Sequence, residues 1–214
     1  ITGGANFISL GSLDISDGEV ISTGGIVSLL GGGQLSGSGE LDLSGSTWVL
    51  GDDFLKSSGT LNISQTDFKL EGDSTLTSDE ALSFVDLNLN DFTLTLGSLT
   101  SDLTIKNAIT IDTSTEGIST GDADLNLNSV LTMNDGLIDS TGGTFVLGGD
   151  FVKSGGTLTT SQTNLELTDS ITLTSDEALS FVTLNLNYKT LTLGSASSDL
   201  TVIDNLTIST STEG

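Results

Sequence analysis

Apolar and polar residues alternate along this chain in short bursts, as in Leu87-Asn88-Leu89-Asn90, Thr93-Leu94-Thr95-Leu96, Leu103-Thr104-Ile105 and Ile109-Thr110-Ile111. A period of two sends successive side chains to opposite faces of an extended segment, so each burst predicts a strand with one apolar face. Bursts open at Leu87, Leu94, Leu103, Ile109, Ile118, Leu125, Leu131 and Leu137, a spacing of six to nine residues. Gly, Asn, Asp and Ser fill the intervals, as in Leu96-Gly97-Ser98, Asn134-Asp135-Gly136 and Thr141-Gly142-Gly143, and supply the conformations that tight corners need. Such corners are too short for a crossover helix between parallel strands and too closely spaced for immunoglobulin-like strands with long loops.

The bursts belong to a larger repeat. The segment opening Thr47-Trp48-Val49-Leu50-Gly51 recurs as Thr144-Phe145-Val146-Leu147-Gly148, an offset of 97 residues, and the match runs ungapped to Ser114-Thr115-Glu116-Gly117 against Ser211-Thr212-Glu213-Gly214 with 47 of 71 positions identical. Ile21-Ser22-Thr23-Gly24 and Ile118-Ser119-Thr120-Gly121 extend it upstream. The expected organisation is a preceding repeat's tail at 1–20 and units at 21–117 and 118–214, forming one continuous fragment of a longer array.

Short strands joined by tight corners can wind about a common axis, each pairing with its counterpart one coil away. The predicted fold class is therefore all-β, a parallel β-solenoid (β-helix). At three strands and roughly 20 residues per coil, a unit holds four to five coils and rises about 24 Å. Four coils fit if Thr77–Phe84 is a corner insertion. Within it, Thr77-Ser78-Asp79-Glu80-Ala81-Leu82 recurs as Thr174-Ser175-Asp176-Glu177-Ala178-Leu179. It reads either as a capping box opening one helical turn or as a polar corner before another strand. Stacked inward Leu, Ile, Val and Phe form an axial column, and each fully buried side chain contributes roughly 1.5–3 kcal/mol. A single coil leaves its top and bottom open, so stability belongs to the stack.

Composition narrows the chemistry. The chain has 214 residues, no Pro, Cys or His, and only five basic residues, all Lys. Absent Pro suits a ladder in which every inner strand donates its N–H groups. Without Cys and His there is no disulfide framework, zinc site, thiol nucleophile or Ser-His-Asp triad, and without Arg no bidentate grip on phosphate. The net charge of −24 opposes nucleic acid and anionic membrane surfaces. A hydrophobic share of 35% and mean hydropathy of +0.16 indicate a folded acidic chain. No apolar run is long enough to span a membrane, so no membrane insertion is expected of this segment.

The motifs have plain readings beside their chemical ones. Gly31-Gly32-Gly33 lacks the following Gly-Lys-Ser/Thr of a phosphate loop and reads as a corner. Asp122, Asp124, Asn126 and Asn128 alternate like calcium ligands, but Leu127 stands where an EF-hand needs Gly, so they form an outward stripe. Weak calcium or magnesium binding by that stripe or by Asn134-Asp135 stays open. Asp79 and Glu80, recurring as Asp176 and Glu177, could supply a glycosidase pair, but their recurrence in both copies favours a structural role. Thr93 and Thr95, echoed by Thr190 and Thr192, suit an ice-binding array or simply exposed strands. Trp48 and its counterpart Phe145 read as packing rather than a sugar platform. We assign no catalytic, cofactor-binding or metal-ligating residue, and no enzyme activity is expected.

The Leu-x-Leu bursts separated by Gly, Asn and Ser, as in Leu87-Asn88-Leu89-Asn90 through Thr95-Leu96-Gly97, resemble the right-handed β-helix stalks of filamentous haemagglutinin-like and autotransporter passenger proteins. The resemblance covers the whole chain in texture and implies a right-handed winding and a bacterial extracellular or cell-surface rod. The high copy identity and 97-residue super-repeat depart from that family and look more like a filament. The leading expectation is a structural stalk, adhesin shaft or fibre, with further copies of its own repeat as partners and self-association or surface glycans beside them. The alternatives are a binding module using an outward Thr/Asn/Asp ladder for ice, polysaccharide or cations, and tandem Ig-like adhesive domains.

Overall fold

The computed structural model describes residues 4–98 and 100–209. Among these, 28 short strands and no helix wind into a parallel β-solenoid of about ten turns. Every ladder is parallel, which sets aside the antiparallel Ig-like sandwich. Ladder partners sit one turn apart: Phe7 opposes Val27, Val27 opposes Trp48, and Leu103 opposes Leu125.

Each turn lays one strand on each of three sides. Side one runs as a five-stranded sheet from Phe7–Ser9 to Leu87–Asn88 and resumes as a second five-stranded sheet from Ile109–Ile111 to Leu191–Leu193. Side two is an eight-stranded sheet from Leu13–Ile15 to Thr157–Thr159. Side three begins with the three strands Glu19–Ile21, Glu40–Asp42 and Thr60–Asn62 and continues as a seven-stranded sheet from Leu82–Phe84 to Leu200–Thr207. Strand Gly117–Ser119 straddles the 117/118 repeat boundary within side two, so the backbone ladder runs through it.

The alternation in the sequence becomes inward columns. Leu82, Leu103, Leu125, Phe145, Leu165 and Leu184 stack in register, as do Val27, Trp48, Phe68 and Leu87. One apolar cluster extends from Ile15 to Leu184. Trp48 is fully buried against Phe54, Phe68 and Phe84, at ring-centroid distances of 5.0, 5.1 and 6.0 Å. Its copy Phe145 meets Phe151 edge-on at 6.2 Å. Both are core residues.

The capping-box alternative fails at Thr77–Leu82. Ser74–Ser78 is a strand, Leu82–Phe84 is the next, and the residues between form a bend in which Ser78 Oγ accepts the Glu80 N–H at 3.1 Å. Ser175 Oγ accepts the Glu177 N–H in the second copy at 3.2 Å. Leu82 donates its N–H to Asp102 O one turn on, so inter-turn pairing takes the backbone group a helical turn would use locally.

The sequence repeat and the turn are out of phase. Thr47–Leu50 lies on side one, but its copy Thr144–Leu147 lies on side three. Phe54–Lys56 on side two recurs as Phe151–Lys153 on side one, and Thr60–Asn62 on side three recurs as Thr157–Thr159 on side two. Each copy is fourteen strands after its original, or four turns and two-thirds. Equivalent residues are therefore about 22 Å apart along the axis and a third of a turn apart around it.

Candidate functional site

Several carboxylates bond from one turn to the next. Asp53 accepts the Thr75 N–H one turn above, Asp73 that of Thr93, Asp102 that of Asp124, Asp124 that of Thr144 and Asp150 that of Thr172, at 2.6–2.9 Å. These charge-assisted bonds extend the ladder where strand pairing stops. Two of the calcium-like candidates divide accordingly: Asp124 is engaged in this ladder, and Asn126 faces outward from Leu125–Leu127. Asp122 and Asn128 are exposed. Asn134 is held by Asp112 and Ser154, and Asp135 accepts the Gly136 N–H. Among the described residues no three or more acidic groups converge as a metal site. Gly31-Gly32-Gly33 forms the corner before strand Gly33–Leu35, with Gly32 at φ +66°.

Two lysines behave unlike the others. Lys56 and Lys153 occupy inward positions on their strands, with side chains only 3% and 2% exposed. Leu35 lies below Lys56 in register and Ser78 above it; Met133 lies below Lys153. Each ammonium reaches the bend of the next turn. Lys56 pairs with Asp79 and, at 3.3 Å, with Glu80, while Lys153 meets Asp176 at 2.7 Å and Glu177 at 3.0 Å. Burial pulls the Lys153 pKa down, but the hydrogen bonds its ammonium donates to Asp176 and Glu177 carry it above the ordinary lysine value. The Lys153 hydrogen bond in turn holds Asp176 below the usual carboxylate range. This gathers the Asp79/Glu80 and Asp176/Glu177 pairs around a lysine, a partner that residue spacing did not single out. The signal was present: Lys56 falls on an apolar-phase position two residues after Phe54, and Lys153 two after Phe151.

The lysine clusters flank a break in the ladder that recurs in both copies. Thr60–Asn62 ends one sheet and Leu82–Phe84 begins the next; Thr157–Thr159 likewise ends the eight-stranded sheet beneath Leu179–Phe181. The opening is closed on one side by the Asp79 N–H to Lys56 O and on the other by Val85 to Thr66, with Asp176 to Lys153 and Val182 to Thr163 in the second copy. The lower turn takes a longer path between these closures than the upper, Lys56 to Thr66 against Asp79 to Val85. In the second copy this leaves a groove of about 250 Å³ lined by Leu158, Thr160, Ser161, Glu177, Leu179 and Ser180.

A like-charge pair sits elsewhere on the surface. Burial and the neighbouring Asp86 carboxylate raise the Asp67 pKa above its ordinary value. In the second copy the equivalents are Asn164 and Thr183, joined by a 2.8 Å hydrogen bond. An acid whose folded pKa is raised contributes stability below its unfolded pKa and loses it as pH rises through the folded value, so ionised Asp67 opposes folding at neutral pH. The double substitution Asp67→Asn with Asp86→Thr should stabilise the chain by about 1 kcal/mol at pH 7. Urea denaturation at pH 7 and pH 4 checks this: the gain should shrink at the lower pH, and an equal gain at both would reject the charge explanation.

The threonine candidates do not share a face. Thr93 and Thr95 point outward on side two, whereas Thr192 points outward on side one and Thr190 precedes its strand. The third-of-a-turn rotation separates them. Side one does carry an uncharged column of its own: Thr110, Thr132, Val152 and Thr174 follow one another in register, with Thr172 opposite Thr192.

Fold and surface together define the class as a parallel β-solenoid. No protein-family model, curated protein or solved structure matches the chain.

Proposed function

We propose that this chain is a structural segment of an extracellular or cell-surface rod, serving as stalk, adhesin shaft or fibre in the manner of filamentous haemagglutinin-like and autotransporter β-helices. The observation that carries this reading is the continuity of the apolar core from Ile15 to Leu184 across the repeat boundary. Supporting it, Asp53, Asp73, Asp102, Asp124 and Asp150 accept inter-turn bonds and the paired acids of both copies surround a lysine. Further copies of the repeat are the natural axial partners, because a parallel stack leaves pairing groups open at each end. About ten turns at the interstrand spacing give a cylinder about 48 Å tall. Small-angle scattering of the purified chain should show one elongated particle with a single cross-section; two globular bodies joined by a linker would reject the rod.

The second reading, a binding face, is favoured by the uncharged Thr/Val column on side one, where a chain of charge −24 leaves the strand surface free of carboxylates. Thermal hysteresis and glycan-array binding test it. Activity abolished by Thr132→Lys would place the surface on that column, and no activity in either assay would dismiss this reading.

A further inference from the structure

We propose that Lys153 and Asp176, and their copies Lys56 and Asp79, condense into amide cross-links between successive turns, with Glu177 and Glu80 as the proton carriers. Three observations converge on these residues. First, each lysine side chain is almost wholly buried while its ammonium touches one oxygen from each of two adjacent acids, a reactant and a relay. Second, the trio survives duplication where other lysines do not: Lys69 becomes Glu166 and Lys106 becomes Ile203. Third, the trio lies at the edge of the recurring ladder break, beside the last inter-turn backbone bonds before it, Asp79 N–H to Lys56 O and Asp176 N–H to Lys153 O, where a covalent tie would reinforce the two turns.

The chemistry balances without an oxidant or co-reactant. The Lys153 ammonium passes a proton to the Glu177 carboxylate, 3.0 Å away. Glu177 delivers that proton to Asp176, the freed amine attacks Cγ of the neutral carboxyl, and Glu177 then carries a second nitrogen proton to the departing hydroxyl. A C–N bond forms and a C–O bond breaks. That oxygen leaves as water with two of the three ammonium hydrogens, and the pair is neutral overall before and after. Condensation is unfavourable between separate molecules in water, but groups held in contact act at effective molarities of about 10⁵ M or more, which favours the amide. Asp176 and Glu177 are half-exposed, giving the water a way out, whereas the amine is shielded from competing solvent. Lys69 provides the internal contrast: it is one-third exposed and pairs with Glu71 on its own turn.

Mass spectrometry of the intact, denatured full chain decides the matter. The expected mass is lower than that of the sequence by two waters, and a tryptic digest should contain a branched peptide joining the segment ending at Lys69 to the one containing Asp79, together with an uncut 107–189 peptide one water light, looped between Lys153 and Asp176. Lys153→Arg, which keeps the charge pair and the fold, should restore one water, and Glu177→Gln should slow formation of that link in freshly folded protein. A folded chain at its full sequence mass, with trypsin cutting after both Lys56 and Lys153 once it is unfolded, overturns the proposal. The rod reading stands or falls separately, on the scattering profile.

Discussion

Trp48→Ala lowers the unfolding free energy by about 3–5 kcal/mol, the cost of emptying a large aromatic site that its neighbours cannot refill. Trp48 touches three rings from three strands, and Phe68 and Phe84 stack beside it at 4.6 Å, so its loss opens the centre of an aromatic group. Because a solenoid couples each turn mainly to its neighbours, the damage should be local. Hydrogen exchange should lose protection first in strands Ile26–Leu29, Thr47–Leu50 and Asp67–Leu70, with the turns beyond Leu125 still protected. Uniform loss of protection along the chain would contradict nearest-neighbour coupling. Trp48→Phe is the informative companion. It copies the residue at Phe145 and removes an indole Nε1 that has no hydrogen-bond partner among the described residues. Relief of that buried donor offsets part of the lost contact, so the variant should be destabilised far less than Trp48→Ala.

Leu131→Pro should be more damaging than its side-chain change explains. Leu131 is fully buried between Ile109 and Phe151, and its N–H donates to Asp150 O on the next turn at 3.0 Å. Leu131→Ala removes contacts at about 2–5 kcal/mol. Proline adds at least about 3 kcal/mol by deleting the donor and forcing its ring into a central strand. Denaturant midpoints of the two variants separate the contributions. Equal midpoints would mean that the Leu131 N–H carries no ladder bond and would remove the explanation offered for a chain without proline.

Strand alternation was legible because burial follows it directly: Leu125, Leu127, Leu131 and Met133 are all buried, while Asn126 and Thr132 face outward. The corners were legible through glycine where the backbone requires it. Gly136 adopts φ +75°, and a Cβ there would come within 2.5 Å of Glu116 O and 2.7 Å of Thr113 O. Local signals left two readings open at Thr77–Leu82. A capping box and a polar bend share the same residues, and only the position of Asp102 O one turn away selects between them. The lysine clusters were half visible. An apolar-phase lysine is an anomaly in one strand, but nothing in its own strand says that acids 23 residues later will cover it.

The sequence by itself determined the strand period, the corners, the duplication and the need for stacking, because each follows from local conformational preference and from which side chains avoid water. The tertiary structure alone decided the phase. Turn length is set by how the coils close on one another, and two-thirds of a turn left over per repeat sends identical segments to different sides. For that reason Thr93 and Thr192 face different directions, and the two lysine clusters lie a third of a turn apart.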